Sequence, residues 1–437
     1  MTANPHLENP SATGAELTPG QRQWRYRVFA GTWLCYVGYY FGRKPFNVAK
    51  SSLESSLGFS PEVLGQIGAA FLIAYAVGQF VSGTIGPRFG ARKMLLAGLA
   101  TSIVSNLAMG ATTSVPAFVA LAAINGLGQA AGWSNSVGIM AAWFSRSERG
   151  RVMGVWSTCF QAGNIVAPLL SSWMLGQFGI AAAFWSGSLA LAVTAVIVWL
   201  LAVNRPEDKG LAAIDTDEGA SSSLSAGSPQ QDGVVRWSTN TWITVLLVGF
   251  AYFGMKFIRY AIDGWAPYFL SANFGLAPPD AGYVSTAFAV CGVVGVLGTG
   301  WLSDRVFGGR RALVALIMLA ALVGATLGMA TFGTGSATAF AISIGVIGFT
   351  LYGPDALLTG AGAMDIGGRQ GAIRAAGIIS GIGSTGSVVQ ELLIGKMYQA
   401  SGRSIAPVVT ALLVSAVVAL ACVAVIVWRN RMGKSDV

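Results

Sequence analysis

Gly300-Trp301-Leu302-Ser303-Asp304-Arg305-Val306-Phe307-Gly308-Gly309-Arg310-Arg311 repeats, with one residue inserted, an earlier stretch: Gly83-Thr84-Ile85-Gly86-Pro87-Arg88-Phe89-Gly90-Ala91-Arg92-Lys93. Gly300 lies 217 residues after Gly83. Each copy is a basic turn between two apolar stretches of about 20 residues or more, the length a bilayer crossing needs. An internal repeat on this scale makes two similar halves.

Working outward from the two turns gives twelve spans, at 27–48, 62–86, 93–112, 115–142, 152–175, 180–203, 240–268, 281–303, 311–333, 336–362, 371–397 and 404–428. Between the sixth and seventh lies 204–239, from Asn204-Arg205-Pro206-Glu207-Asp208 through the Ser run at 221–225 to Gln230-Gln231-Asp232. Low hydrophobicity with Ser, Gly, Asp and Gln is linker composition. The expected organisation is a leader at 1–26, a six-helix bundle at 27–203, the linker, a second bundle at 240–428 and a tail at 429–437.

Composition agrees. Hydrophobic residues are 54% of the 437 and charged residues 10%, against about 25% charged in soluble domains. The 58 glycines suit closely packed membrane helices. The net charge of +9 does not point to nucleic acid, because Lys and Arg sit in short clusters between apolar spans. No phosphate-binding loop, dinucleotide turn or metal-ligand spacing is present, so no cofactor, no metal and no enzyme activity is expected. Cys35, Cys159, Cys291 and Cys422 fall in apolar spans and read as small buried hydrophobes. His6, in the polar leader, is the only histidine, which leaves none for a proton relay inside the membrane. Residues 1–24 have no apolar h-region, so no signal peptide is expected.

Basic residues set the orientation. Arg22, Arg25 and Arg27 precede the first span, Arg88, Arg92 and Lys93 follow the second, and Arg146, Arg149 and Arg151 follow the fourth. Arg305, Arg310 and Arg311, then Arg369, then Arg429, Arg431 and Lys434 continue the pattern in the second half. The opposite loops, such as Ala111–Pro116 and Gln177–Ile180, carry almost none. Both termini and the linker are expected in the cytoplasm.

Parallel repeats related by an axis along the membrane normal are the pattern of the two halves of major facilitator transporters. The Gly-x-x-x-Asp-Arg-x-x-Gly-Arg-Arg turn of the second copy resembles that superfamily's cytoplasmic loop motif. The first copy has Pro87 where the motif has its acid. The expected fold is an all-α membrane protein, with twelve transmembrane helices in two pseudo-symmetric six-helix bundles.

Inside the first span, Tyr39-Tyr40-Phe41-Gly42-Arg43-Lys44-Pro45-Phe46-Asn47 holds two adjacent cations. A charge in hydrocarbon costs a few kcal/mol even on lenient scales, so it is kept for a use or snorkels from a helix end. The repeat offset carries Arg43 to position 260, and Arg259 stands one residue away. Two arginines at matching depth in spans one and seven form a candidate anion clamp, since guanidinium forks match phosphate and carboxylate. An empty site with two unpaired cations is costly to carry across the membrane, which favours exchange over uniport.

The same stretch resembles the first-span signature of the organophosphate:phosphate antiporter family, which includes bacterial glycerol-3-phosphate and hexose-phosphate exchangers and eukaryotic sugar-phosphate exchangers. The resemblance continues through Asn125-Gly126-Leu127-Gly128-Gln129-Ala130-Ala131-Gly132-Trp133, Trp143-Phe144, Glu148-Arg149-Gly150, Val155-Trp156-Ser157, Arg259-Tyr260 with Asp263 and Trp265, and Tyr352-Gly353-Pro354. It implies that Arg43 and Arg259 bind a phosphoryl group and that inorganic phosphate is the counter-substrate. Two positions depart from the bacterial glycerol-3-phosphate pattern: Gln79 stands where it has lysine and Phe160 where it has a site histidine. Specificity for glycerol 3-phosphate and a histidine-linked pH response are therefore not expected.

Lys44 points about 100° round the helix from Arg43 and is either a second phosphate contact or a snorkeller. Lys256 and Asp263 share the face of Arg259, either as a structural ion-pair ladder or with Asp263 tuning Arg259 or reading a cationic substrate group. Asp355 follows a Gly-Pro pair, and a helix broken at membrane depth lines a cavity. Glu391 follows the Gly-rich run 381–386 and pairs with substrate or a gate, or with Arg374 or Lys396. Tyr39, Tyr40, Tyr75, Trp133 and Phe160 are candidates to wall the organic part of a substrate, with packing as the alternative.

The expected function is exchange of an organic phosphate or phosphonate for inorganic phosphate by alternating access. The alternatives are a proton-coupled carboxylate symporter, with Asp263, Asp355 and Glu391 as the titrating candidates, and a transport-like receptor for a sugar phosphate. The expected setting is a bacterial inner membrane, and nothing in the chain asks for more than a monomer.

Overall fold

A computed structural model describes residues 17–214, 238–307, 311–358 and 368–432. The leader before residue 17, the Ser run of the linker, Arg310, the tail beyond Met432 and the side chains of Pro87, Asp304, Arg369 and Arg374 lie outside the described residues. Among those described there is no strand.

The first half comprises α1 (Pro19–Phe41), α2 (Lys44–Leu57), α3 (Pro61–Phe89), α4 (Ala91–Ala111), α5 (Val115–Gln129), α6 (Ala131–Trp143), α7 (Arg146–Trp156), α8 (Cys159–Phe178) and α9 (Ile180–Leu201). The second comprises α10 (Thr239–Ala272), α11 (Pro278–Ser285), α12 (Ala287–Arg305), α13 (Arg311–Gly328), α14 (Ala337–Ala356), α15 (Gly368–Ala400) and α16 (Ala406–Arg431). Helix starts follow capping chemistry. Thr18 accepts from the Gln21 amide at 3.2 Å while Gln21 Oε1 accepts from the Thr18 amide at 2.9 Å, with Pro19 in the first turn. Ser60 caps α3 from one side only, accepting from the Val63 amide at 3.3 Å, ahead of Pro61.

Among the described residues, ten helices or joined helix pairs are long and apolar enough to cross a membrane. The first and fifth crossings are not among them because their helices are more polar; each is also divided, α1 yielding to α2 at Gly42–Arg43 and α7 to α8 at Ser157–Thr158. With each pair taken as one crossing, there are twelve. The first crossing runs on to Leu57 rather than ending near 48, because Lys50 and Glu54 interrupt the apolar run without interrupting the helix. Arg43 therefore sits mid-crossing and not at an outer helix end. The expected break at Tyr352-Gly353-Pro354 is also absent: α14 continues through Pro354 to Ala356.

The two cores are placed unequally. One cluster, with Tyr39, Trp143, Trp156 and Leu191, belongs to the first half on the side of the linker. The other joins Leu53, Phe59, Leu64 and Phe118 of the first half to Trp265, Tyr268 and Ile394 of the second. A core that spans both halves at the end remote from the linker closes that end. At the linker end, Gly154, Gly377 and Gly381 are exposed and have open space where a Cβ would stand. Outward faces carry exposed Leu, Val and Trp, among them Trp173, Leu189, Val193 and Trp199, as lipid contact requires.

Candidate functional site

The geometry of Arg43 begins with its backbone. Pro45 has no amide to donate to Phe41, so the helix loosens one turn earlier. The amides of Gly42 and Arg43 turn back to Tyr39 O and Tyr40 O, at 3.2 and 3.0 Å. The Gly42 carbonyl, which lipid could not satisfy, instead accepts from Asn125 Nδ2 at 2.8 Å and Asn106 Nδ2 at 3.1 Å. A Cβ on Gly42 would come within 2.9 Å of Leu191 and 3.2 Å of Asn106. Only glycine lets these amides approach so closely.

The same network holds the side chain. Gln129 donates to Asn125 Oδ1 at 3.1 Å and accepts from Arg43 Nε at 3.1 Å. The guanidinium lies 5.2, 5.3 and 5.1 Å from the ring centres of Tyr40, Phe71 and Tyr75, a cation–π floor. Among the described residues Arg43 forms no ion pair, and it interacts electrostatically with Tyr260 of the second half as well as with Tyr40 and Tyr75.

Arg259 is held differently. Its Nη1 donates to Asp355 Oδ2 at 2.7 Å, and the guanidinium lies 4.7 Å from the ring centre of Tyr352. Tyr40 interacts electrostatically with both arginines, so the two halves of the expected clamp do converge. Lys44 is neither a snorkeller nor free for an anion here. It is 1% exposed and pairs with Asp263 Oδ1 at 2.5 Å, joining α2 to α10. Asp263 therefore does not join a ladder with Arg259. Lys256 donates to Ser384 Oγ of α15 at 3.2 Å and lies 4.9 Å over Tyr252. The same-helix ladder fails because each of these side chains finds its partner on another helix.

The remaining candidates divide. Tyr75 reaches the floor under Arg43, whereas Tyr39 is buried and donates to Leu95 O at 3.1 Å inside the first bundle. Gln79, one turn beyond Tyr75, is exposed. Phe160 packs 4.8 Å from Tyr36 and 5.2 Å from Trp133, in an aromatic cluster that includes Trp156. Glu391 is not at the arginines, and its partner is not Lys396. It accepts from Lys50 Nζ at 3.1 Å and from Trp265 Nε1 at 2.8 Å, with Lys50 0% and Glu391 5% exposed. Gly68 and Gly264 make the room: a Cβ on either would come within 2.7 or 2.9 Å of that carboxylate. Beyond it, Glu54 accepts from Tyr268 Oη at 2.6 Å and pairs with Arg403 at 2.7 Å. These contacts seal the closed end.

Lys50, Glu54, Asn106, Asn125 and Gln129 were not singled out for these roles by the sequence. The available signal was their polarity inside apolar spans, which does not say where each points. At the linker end, Glu148 caps α7 with Ser145 and pairs with Arg25. Burial alone would raise its carboxyl, but Arg25 and the Ser145 cap hold it below the usual value.

Comparison with known proteins adds to this geometry. The family description "Major Facilitator Superfamily" matches residues 32–261. A "Probable hexose phosphate transport protein" of Chlamydia trachomatis is 28% identical over 401 residues, covering 86% of each chain. The "Membrane sensor protein UhpC" of Escherichia coli is 29% identical over 373 residues, covering 83% of this chain and 84% of its own. Among solved structures, a bacterial homologue of the human lysosomal transporter Spinster, inward-facing and unoccupied, superposes with a TM-score of 0.72 at 14% identity, over 97% of this chain and all of that one. At that identity the likeness shows the fold alone.

Proposed function

This chain belongs to the Major Facilitator Superfamily, in its organophosphate:phosphate antiporter family, and from that premise we propose that it exchanges an organic phosphate or phosphonate for inorganic phosphate. The observation that carries the reading is Arg43. A helix break, two asparagines and a glutamine hold its guanidinium, and among the described residues no carboxylate pairs with it. A fork so presented is matched by a phosphoryl group, which accepts two parallel hydrogen bonds. Arg259 supplies a second fork across the space, its charge shared with Asp355.

With the linker in the cytoplasm of a bacterial cell, the open end faces inward and the Lys50–Glu391 seal faces outward. Bound anion lowers the cost of enclosing the cationic site, so the halves rock between the two faces only when loaded. That coupling makes the protein an exchanger.

Counterflow tests this: proteoliposomes loaded with phosphate should take up labelled phosphate, and hexose phosphates or phosphonates should compete. Uptake that needs a pH gradient but no internal phosphate would overturn it. The sensor relative favours one second reading, a receptor that binds but does not carry. Substrate binding to the purified protein with no counterflow would select that reading.

A further inference from the structure

Four basic side chains surround the space between α1–α2 and α10, and they are not equivalent. Lys44 and Arg259 have carboxylate partners, Asp263 and Asp355. Among the described residues Arg43 and Lys256 have one hydrogen-bond partner each, and both partners are neutral: the Gln129 amide and the Ser384 hydroxyl. Among the described residues neither makes an ion pair. Four cations against two carboxylates leave two positive charges uncompensated.

Lys256 belongs to this site rather than to the packing of α10. It precedes Arg259 by three residues, on the same helix face. It interacts electrostatically with Arg43 and Tyr75 of the opposite half, as well as with Arg259 and Asp355. Its amine is set from two sides, by the Tyr252 ring and by Ser384 of α15, and Gly383 lets α15 close on Tyr252. One of three ammonium donors is used. Lys50 shows the contrast, since a lysine buried for structure in this same chain has a carboxylate against it.

We propose that Lys256 is a specificity-determining residue, which with Arg43 makes the site select a dianionic phosphoryl group over a monoanion. The inference rests on the reading that this site binds phosphate compounds. A phosphate monoester above its second ionisation, near pH 6, brings two negative charges and neutralises both cations. A phosphodiester or sulfate ester brings one and leaves a buried charge unmatched. Replacing Lys256 by a neutral residue removes one of the two charges, and with it the reason to prefer the dianion.

Methyl phosphate and methyl sulfate, alike in size and different in charge, are the probes. Their affinities for the purified full-length protein are measured by calorimetry at pH 7.5, which needs no transport. The wild type should bind methyl phosphate at least about ten-fold more tightly, the factor that one well-placed charge contact supplies. Lys256→Gln should weaken methyl phosphate by about ten-fold and methyl sulfate by less than about two-fold, so the ratio collapses; Lys256→Arg should restore most of it. Lowering the pH to 5.5 should erode the wild-type preference and leave Lys256→Gln unchanged.

Equal losses for both probes in Lys256→Gln would mean a structural tether to Ser384, and an unchanged ratio would mean that Lys256 takes no part. Either result overturns the inference, as does a wild type without preference. If the ratio behaves as stated but phosphate self-exchange in proteoliposomes is absent, the exchange reading falls and this one stands.

Discussion

Two charged regions join the halves of this protein, and they differ in how completely they are satisfied. At the closed end, Lys50 meets Glu391, Glu391 also takes the Trp265 indole, and Glu54 is shared by Tyr268 and Arg403. In the middle, Arg43 and Lys256 rest on neutral partners. Burying a charge costs several kcal/mol unless it is paired and hydrogen-bonded. The seal meets that demand from within the chain, so it needs nothing else and holds the halves together. The middle meets it only in part: among the described residues, Arg43 and Lys256 have no counter-charge. Saturation separates the seal from the proposed site here more than residue type does.

Breaking the seal on one side should have the largest effect. Lys50→Met leaves Glu391 buried without its counter-charge, a loss of about 3–5 kcal/mol. The unfolding midpoint in detergent should fall sharply, and the double variant with Glu391→Gln should recover most of the loss. Additive losses in the two single variants would mean that the pair is not a unit. If the latch holds one state, the double variant should also expose a cysteine placed at position 61 to membrane-impermeant reagents applied from the outer face.

The site should respond in transport before it responds in stability. Arg43→Lys keeps the charge and loses the fork, and counterflow should drop by about a hundred-fold while the unfolding midpoint moves little. Near-normal counterflow would place the substrate elsewhere. Asn125→Ala tests the scaffold behind the fork. It deprives the Gly42 carbonyl of its shorter hydrogen bond and Gln129 of its support, at a cost of about 1–3 kcal/mol. Substrate affinity should weaken with Arg43 intact, and unaltered affinity would show that the break holds itself.

The smallest effect belongs to neither region and serves as a control. The Glu148 carboxyl is held below its ordinary value, so its contribution is present at neutral pH and lost as the pH falls through the folded-state value. The Arg25 pair is partly exposed and contributes about 0.5 kcal/mol. Glu148→Gln should lower the unfolding midpoint slightly at pH 7 and not at pH 3, with counterflow unchanged. A large loss at pH 7 would assign the linker end a locking role like that of the seal.

Much of the fold was legible because hydrophobic length and repeats are local properties. The errors came where a polar residue was taken for a boundary. Lys50 and Glu54 shortened the expected first span, although their partners on α10, α15 and the following loop let the helix continue. Pro354 was expected to break α14 and does not. In the candidate site, Arg43, Arg259, Tyr75, Lys256 and Asp355 are brought together, while Tyr39 and Glu391 are placed elsewhere.

The sequence by itself determined a membrane protein of two similar halves, with an arginine at matching depth in the first span of each half. Those conclusions follow from apolar run length and from repetition, neither of which depends on distant residues. Only the tertiary structure decided which charges are spent. Lys44 finds Asp263 across 219 residues of chain and Lys50 finds Glu391 across 341. Helix faces meet by packing, and a side chain's electrostatic partner is set by which face lies opposite. A basic side chain is neutralised where that face carries a carboxylate, and keeps its charge uncompensated where it carries an amide or a hydroxyl.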